Sequence, residues 1–395
     1  MAVLSRLSGR ITQFPRRGRV VAEPAAGALY WRPAEIRRGL RFVRLLVFGL
    51  SITSSWGNGH ATVYRGLLKQ LHRAGLDITF VEKDVPWYAS NRDLGVCDFA
   101  RVLLYQDTAQ LEELLPTELG QADVALLGSY FPDGIAVADR LAVRSGLVRL
   151  YYDIDTPVTL AAFAEAGSAA YLRADQIAGF DAVLSFTGGP ALRELEKRWG
   201  ARRAIAFYCA LDPETHRRTD PDERFRCGLG YMGTYSADRH TAWEALFVRP
   251  ALRLPDRRFV LAGPQYPAVE LPANVRHYHH LPPREHPAFY SSCDLTLNIT
   301  RAPMVARGYS PSVRLFEAAG CATCVVSDRW EGMGDIFEIG TEILVAGGEL
   351  EMTKLLESLD LDEVRQIGER ARLRALRDHT YEVRARQFLD LLGSL

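Results

Sequence analysis

The first candidate for chemistry is a glycine-rich loop at residues 54–59, which reads Ser-Ser-Trp-Gly-Asn-Gly. It follows residues 43–50, an apolar run of valine, leucine and phenylalanine that is typical of a buried strand. The two glycines have no Cβ, so backbone N–H groups of this loop can approach a ligand closely. We therefore predict that Gly57, Asn58 and Gly59 contact a phosphate or a polar acceptor group.

His60 comes directly after this loop, at the start of a helix predicted over residues 60–74 by apolar residues at helical spacing. The positive end of a helix disfavours a further positive charge, so we predict a lowered pKa and a neutral imidazole. A neutral imidazole accepts a proton from a hydroxyl, which makes His60 a candidate general base. The alternative is a histidine that only caps the helix or packs against its neighbours.

Two carboxylates, Asp153 and Asp155, follow a strand predicted over residues 147–152. Carboxylates at this spacing can bind a divalent cation. The alternative is a helix start, with Asp155 or Thr156 as the cap and Pro157 in the first turn. We favour the helix start and predict no metal. Asp155 is then a second candidate catalytic group that orients or deprotonates an acceptor hydroxyl, and Asp153 is predicted beside the acceptor.

A first anion site is predicted in the loop at residues 233–239, after a strand over residues 228–232. Gly233 and Thr234 offer backbone N–H groups and a hydroxyl to a phosphate, and Arg239 can neutralise its charge. An ordinary strand-to-helix turn is the alternative.

A second anion site is predicted where residues 307–320 begin a helix, with Ser310 as the N-cap and Pro311 in the first turn. Arg314 lies one turn in and can hold the same anion. Glu317 would repel a phosphate, so we expect it to meet a hydroxylated group such as a ribose; an ion pair with Arg314 on the helix surface is the alternative. A phosphate beside a ribose indicates a nucleotide. The predicted donor-binding residues here are Tyr309, Ser310, Ser312, Arg314 and Glu317.

Strands alternate with helices along both halves of the chain, which predicts an α/β fold with parallel sheets. The polar, proline-containing residues 211–226 read as a linker between two similar halves. Since ligands of open α/β sheets bind at the carboxyl ends of the strands, both halves should direct loops into a shared cleft. The predicted organisation is a basic extension at 1–40, an N-terminal domain at 41–210, the linker at 211–226, a C-terminal domain at 227–378 and a last helix at 379–395.

Composition excludes several classes of protein. Among the 395 residues, 48 basic side chains balance 48 acidic ones, and 48% of residues are hydrophobic. This argues against a disordered chain and against a nucleic-acid-binding protein. Residues 1–44 hold ten arginines and two acidic residues, so this segment could contact an anionic membrane surface or be a poorly ordered extension. There is no apolar core of a secretory signal, and we expect a cytoplasmic protein, with some contact at the inner face of the membrane.

Two other motifs are discounted. The sequence from Gly228 to Gly233 matches the glycine pattern of dinucleotide-binding loops, but the motif itself is the strand and no apolar strand precedes it. Cys321 and Cys324 have the spacing of a redox or zinc motif, but no second cysteine pair or histidine pair accompanies them. We therefore predict buried free thiols in a reducing compartment.

Taken together, five segments resemble the GT-B glycosyltransferases, and most closely the CgeB-like family of spore-maturation proteins. The resemblance covers roughly residues 43–378. The segments that carry it are residues 56–60, 81–93, 153–157, 231–239 and 314–320.

The resemblance implies two Rossmann-like domains that face each other across a cleft, with the acceptor on the N-terminal domain and a nucleotide-sugar donor on the C-terminal domain. It implies transfer of a sugar from a UDP or dTDP donor to a hydroxyl of a glycan, a lipid-linked molecule or a small molecule, without a metal or other cofactor. In retaining relatives a Glu-x7-Glu motif spans the helix start; Glu317 matches the second, ribose-binding position, but Tyr309 stands in the first. Inverting relatives often carry a histidine where His60 stands, so the stereochemistry stays open.

The rival interpretation is a non-catalytic, two-lobed protein that binds a nucleotide sugar or another ligand. The predicted absence of a secretory signal counts against it. Such a protein would bind the donor and release no nucleoside diphosphate.

Overall fold

The computed structural model describes residues 43–268 and 270–395. The basic extension predicted at residues 1–40 lies outside these residues. Within the described part of the chain, no helix is both long enough and apolar enough to cross a membrane.

Two parallel sheets organise the described residues, and a short antiparallel hairpin is inserted in the sequence between two strands of the N-terminal sheet. The strands are β1 Arg44–Phe48, β2 Asp77–Lys83, β3 Arg101–Tyr105, β4 Val124–Gly128, β5 Val148–Asp153, β6 Ser168–Ala169, β7 Leu172–Arg173, β8 Ala182–Ser185, β9 Ala204–Ala206, β10 Cys227–Met232, β11 Phe259–Ala262, β12 Val275–Tyr278, β13 Cys293–Asn298, β14 Cys324–Ser327 and β15 Leu344–Val345.

Helices connect most of these strands, as parallel pairing requires. They are α1 His60–Arg73, α2 Pro86–Ala89, α3 Thr108–Gln121, α4 Gly134–Ala142, α5 Thr156–Ala166, α6 Pro190–Lys197, α7 His240–Trp243, α8 Arg249–Arg253, α9 His286–Ser292, α10 Ala302–Arg307, α11 Val313–Gly320, α12 Glu349–Glu357, α13 Leu361–Asp378 and α14 Tyr381–Leu392.

The strand orders explain where a ligand can bind. The N-terminal sheet runs β3-β2-β1-β4-β5-β8-β9, and the C-terminal sheet runs β12-β11-β10-β13-β14-β15. In each sheet the order reverses beside its first strand, between β1 and β4 and between β10 and β13. The loops that leave these neighbouring strands diverge and open a crevice at the carboxyl edge of the sheet. The α/β class with two Rossmann-like domains is therefore confirmed.

The central strands read as continuous apolar runs because helices cover both faces of each sheet. All five residues of β4, Val-Ala-Leu-Leu-Gly, are buried. Residues 228–232 of the glycine motif lie in β10, as predicted, and Gly233 follows the strand. All six cysteines are free, and Cys321 and Cys324 are buried, which confirms the prediction of buried thiols.

The C-terminal tail, residues 349–395, is predicted to be helical, with a separate last helix at residues 379–395. It forms three helices, because Asp360 and Thr380 each accept hydrogen bonds from backbone N–H groups at a new helix start. The last helix, α14, returns to the N-terminal domain. The ring of Tyr381 packs directly over Gly66 of α1, and the Arg384 guanidinium donates to the carbonyl oxygen of Tyr208 at 2.9 Å.

Candidate active site

A cavity of about 280 Å³ lies between the carboxyl edges of the two sheets. The N-terminal domain contributes seven lining residues and the C-terminal domain contributes ten. They are Gly59, His60, Val63, Ile154, Asp155, Phe186 and Thr187 on the first side, and Arg239, Ile299, Thr300, Arg301, Met304, Ser310, Pro311, Ser312, Val313 and Arg314 on the second.

The loop after β1 is held by one buried carboxylate, that of Glu82. Its two oxygens accept hydrogen bonds from the backbone N–H groups of Ile52 and Thr53 and from the hydroxyls of Ser51 and Thr53, at 2.7–3.0 Å. Four donors on one carboxylate fix the start of the loop that leads to His60. This arrangement makes Glu82 a structural residue of the site.

We expect Glu82→Gln to lower the free energy of unfolding by about 1.5–3 kcal/mol, since a buried amide cannot accept all four of these hydrogen bonds. Chemical denaturation measures this change. The matched control is Glu113→Gln on the exposed face of α3, which should change stability by less than about 0.5 kcal/mol. An equal effect of both substitutions would contradict the role given to Glu82.

Further along this loop, Gly57 has a positive φ of 66°, a conformation that favours glycine. The side chain of Asn58 forms its hydrogen bonds with backbone groups of the loop and of the first turn of α1. Its Oδ1 accepts from the backbone N–H of Ala61 and its Nδ2 donates to the carbonyl oxygens of Ser54 and Trp56. Gly57 and Asn58 therefore shape the turn behind the cavity, and their predicted contact with a phosphate or an acceptor stays a prediction.

His60 is the first residue of α1 and is 8% exposed. Burial lowers its pKa to about 4, so the imidazole is neutral at pH 7. The neutral state agrees with the prediction, and burial accounts for it. The ring meets the ring of Tyr130 edge-on, with the centroids 5.4 Å apart, and Nδ1 has no hydrogen-bond partner in the described structure.

The two carboxylates after β5 have different surroundings. Asp153 is fully buried, and its Oδ1 accepts from the hydroxyl of Thr159 and the backbone N–H of Asp155. Asp155 is the N-cap residue of α5, lines the cavity and lies 3.7 Å from the Arg301 guanidinium. The predicted helix start is thus confirmed. Only Asp155 presents its side chain to the cavity, which is a poor arrangement for shared metal coordination.

The acid–base state of Asp153 leads to a test by pH. Burial raises the pKa of Asp153 to about 7 from its ordinary 3.8. The folded chain then binds more protons than the unfolded chain between these two values. The contribution of Asp153 to stability is complete below pH 4 and is lost as the pH rises to 7.

We therefore expect Asp153→Asn to gain about 2–4 kcal/mol in unfolding free energy relative to the wild type when the pH rises from 4 to 8. Denaturation at both pH values measures the change. Asp77→Asn, an exposed carboxylate at the start of β2, is the control and should show almost no shift. A difference between the Asp153 variant and the wild type that does not vary with pH would contradict the raised pKa.

Three arginines of the C-terminal domain line the cavity, against one carboxylate, that of Asp155. Arg239 donates from Nη2 to the carbonyl oxygen of Thr234 at 2.8 Å, and its buried Nε has no partner in the described structure. Arg301 also pairs with Asp238 at 3.1 Å. The excess of guanidinium groups and the unpartnered Nε favour binding of an anion.

The third arginine, Arg314, is fixed by the ends of two neighbouring strands. It donates to the carbonyl oxygen of Met232 at 2.5 Å and to Oδ1 of Asn298 at 2.9 Å. Gly233 allows this close approach, because a Cβ there would lie 2.6 Å from Nη2 of Arg314. Gly233 and Thr234 thus support Arg314 and Arg239 and do not line the cavity themselves.

The helix start near residue 310 differs from the prediction. Helix α11 begins at Val313 with Ser312 as its N-cap residue, so Ser310 is not the cap and Pro311 lies before the helix. Ser310 forms instead a hydrogen bond of 2.5 Å with the hydroxyl of Thr187, in the other domain. A pairing across 123 residues is a tertiary interaction that capping preferences do not reveal.

Tyr309 also joins the two domains. Its carbonyl oxygen accepts from the backbone N–H of Gly188 at 2.9 Å, and its φ of 50° is unusual for a residue with a side chain. Nearby, Arg307 forms an ion pair of 2.5 Å with Glu194. The residues predicted to bind a donor at positions 309 and 310 therefore also hold the domains together around the cavity.

Glu317 does not line the cavity and forms no ion pair with Arg314. Its Oε2 accepts a hydrogen bond of 3.4 Å from the hydroxyl of Tyr290, and its Oε1 lies 3.6 Å from Nε2 of His216. The predicted contact between Glu317 and a ribose stays a prediction.

The prediction missed Arg301, Thr187 and Phe186. All three follow the carboxyl ends of strands, β13 for Arg301 and β8 for the other two. The rule that places ligands at these ends was applied to other loops and would have found them, had the strand order been known.

Comparisons with known proteins agree with this architecture. A model of a family described as glycosyl transferase-like matches residues 239–390. A search among curated protein sequences finds no match. The chain superposes on sucrose-phosphate synthase from Thermosynechococcus elongatus with a TM-score of 0.65 at 13% identity, over 89% of this chain and 98% of that one.

Two further structures have the same architecture. HepE from Anabaena, solved in complex with UDP and glucose, gives a TM-score of 0.64 at 13% identity over 89% of this chain and all of its own. Trehalose-6-phosphate synthase OtsA gives 0.64 at 11% identity over 89% and 99%. The chain has a GT-B fold. In this GT-B fold the cavity described above lies in the cleft between the domains. The finer resemblance to the CgeB-like family stays a prediction.

Proposed function

We propose that this protein is a glycosyltransferase that moves a sugar from a nucleotide-diphosphate donor to an acceptor hydroxyl. The observation that carries the proposal is the composition of the cavity. Three guanidinium groups on one domain face a neutral buried histidine and a carboxylate on the other, His60 and Asp155. The match to a glycosyl transferase-like family model and the UDP bound to HepE support a UDP donor, with dTDP as the alternative base.

The donor diphosphate would lie against the arginines, which stabilise the negative charge that grows on the leaving group. The acceptor hydroxyl would lie on the side of His60 and Asp155. His60 would take its proton, or one of the two would orient it, and the new imidazolium would be stabilised by the diphosphate opposite. Closure of the domains excludes water and limits hydrolysis of the donor.

The cavity of about 280 Å³ is slightly smaller than ordinary small-molecule pockets, so we propose that the domains separate to admit a nucleotide sugar. Contacts such as the Arg307–Glu194 ion pair and the Thr187–Ser310 hydrogen bond would break in that step.

Donor binding is tested by thermal unfolding and calorimetry with UDP, dTDP and their sugars. A ligand at 100 times its Kd stabilises the folded state by about 2.7 kcal/mol. We expect stabilisation by at least one nucleoside diphosphate. No stabilisation by any of them would contradict the proposal.

We also propose that turnover requires neither Mg²⁺ nor Mn²⁺, because arginines take the place of the cation at the diphosphate. Adding either ion at millimolar concentration should change the rate of sugar transfer by less than about twofold, except where the ion speeds release of the nucleoside diphosphate. Turnover that depends on Mn²⁺ would restore Asp153 and Asp155 as a metal site.

A further inference from the structure

A second cluster of polar side chains lies outside the cavity and has no part in the proposed transfer. His216 belongs to the turn after Asp212, His286 is the first residue of α9, and Glu317 lies in the middle of α11. One potential ligand atom from each residue lies within 4.8 Å of the other two. Among the residues that the structure describes, no other three histidine, cysteine or acidic side chains meet this criterion.

His216 is the least satisfied member of this cluster. The side chain is 4% exposed, and neither ring nitrogen has a hydrogen-bond partner in the described structure. Nε2 lies 3.6 Å from Oε1 of Glu317, which is too long for a good hydrogen bond. Native structures rarely bury an imidazole in this state, so a missing partner is expected here.

The other two side chains are oriented by outer partners. Nε2 of His286 lies 3.2 Å from the carbonyl oxygen of Leu281, which can only accept, so Nε2 carries the proton and Nδ1 keeps a lone pair. The Tyr290 hydroxyl donates to one oxygen of Glu317 and leaves the other toward His216. Histidines and carboxylates that ligate metals are commonly oriented by such outer hydrogen bonds.

We propose that His216, His286 and Glu317 form a binding site for a divalent transition-metal ion, with zinc as the best fit. Two imidazoles and one carboxylate are a donor set that zinc takes, whereas magnesium and calcium prefer oxygen alone. Zinc bonds of about 2.0–2.2 Å place two ligand atoms roughly 3–4 Å apart. The 3.6 Å separation of His216 and Glu317 is already in that range, and a ligand atom of His286 lies within 4.8 Å of both.

The ion would connect three separate segments. It would hold the turn after Asp212, where the chain enters the C-terminal domain, onto helices α9 and α11. Zinc at Glu317 and the ribose contact predicted for the same carboxylate exclude each other, so stoichiometric zinc binding would rule out that contact. The sequence gives no sign of the site, because its members are far apart and stand in no ligand motif.

The test is titration of the metal-free, full-length protein with Zn²⁺ in the calorimeter and with Co²⁺ as a spectroscopic probe. We expect one ion per chain, visible d–d absorption from Co²⁺ in a nitrogen–oxygen site, and no sulfur-to-cobalt charge-transfer band. His216→Phe and His286→Gln should each weaken binding by more than about tenfold. His72→Gln, an exposed histidine at the far end of α1, is the control and should bind as the wild type does.

Circular dichroism shows whether His216→Phe and His286→Gln are folded. Two variants are used so that the test survives if one of them does not fold, and the cobalt spectrum of the wild type depends on neither. A folded wild type that binds no stoichiometric ion would overturn the proposal. So would undiminished binding in the folded variants, or a sulfur-to-cobalt band, which would assign the ion to cysteines.

Discussion

Replacing His60 by alanine or glutamine should lower turnover by about 10²–10⁴, the usual contribution of a general base. Neither side chain accepts a proton at neutral pH, and glutamine also fills most of the space of the imidazole. Donor affinity should stay close to that of the wild type, because the three cavity arginines belong to the other domain. Release of the nucleoside diphosphate measures turnover, and calorimetry measures affinity.

The pH profile gives a second readout for His60. Its pKa is lowered to about 4 by burial, so the unprotonated form dominates at every pH above about 5. Wild-type turnover should decrease only as the pH approaches 4, and this acidic limb should vanish in the variants. His72→Ala, an exposed residue of the same helix, is the matched control and should keep both rate and profile.

A loss of less than about tenfold in folded His60 variants would contradict a general base and indicate a positioning role. Retention of the anomeric configuration, measured by NMR, would point in the same direction. Inversion of the anomeric configuration together with a large loss of turnover would support His60 as the general base.

The second large effect is expected at Arg239. Arg239→Gln should weaken UDP or dTDP binding by about 1.5–3 kcal/mol, or roughly 10- to 150-fold in Kd, the scale of a charge-assisted hydrogen bond. Its buried Nε has no partner in the described structure, so a bound phosphate oxygen is the natural acceptor. The guanidinium keeps its place through Thr234.

The loss of affinity in the Arg239 variant should depend on the phosphate groups of the ligand. Uridine or thymidine, which lack phosphate, should bind the Arg239 variant and the wild type equally weakly. Arg386→Gln, an exposed arginine of α14, is the control and should leave UDP affinity unchanged. An unchanged affinity for the diphosphate in a folded Arg239 variant would place the anion site elsewhere.

The fold could be predicted because its signal is local. Apolar runs such as β4 and glycine-rich turns such as the one before His60 mark strands and the loops that follow them. β12, which reads Val-Arg-His-Tyr, was not predicted, because it is an edge strand and its polar residues interrupt the apolar pattern of a strand. The break at Asp360 in the C-terminal tail was not predicted, although Asp360 is a good capping residue and could have been found.

The site was only partly predictable because it depends on which strands are neighbours. Arg301 and Arg239 line the same cavity because β13 lies beside β10. The sequence gives the strands in chain order and not in their order in the sheet. Two serines flank Pro311, and capping preference alone cannot choose between them. The contact between Ser310 and Thr187 of the other domain leaves Ser312 as the helix cap, and this contact forms only in the folded chain.

The most direct test of the central claim is to follow donor cleavage by ³¹P NMR. Wild-type protein is mixed with the donor that calorimetry identifies and with a panel of glycan, lipid-linked and small-molecule hydroxyl acceptors. A glycosyltransferase should release the nucleoside diphosphate, faster with its acceptor than with water, and the His60→Gln protein should be much slower. A donor that binds the cavity but stays intact with every acceptor would contradict the account and indicate a two-lobed binding protein.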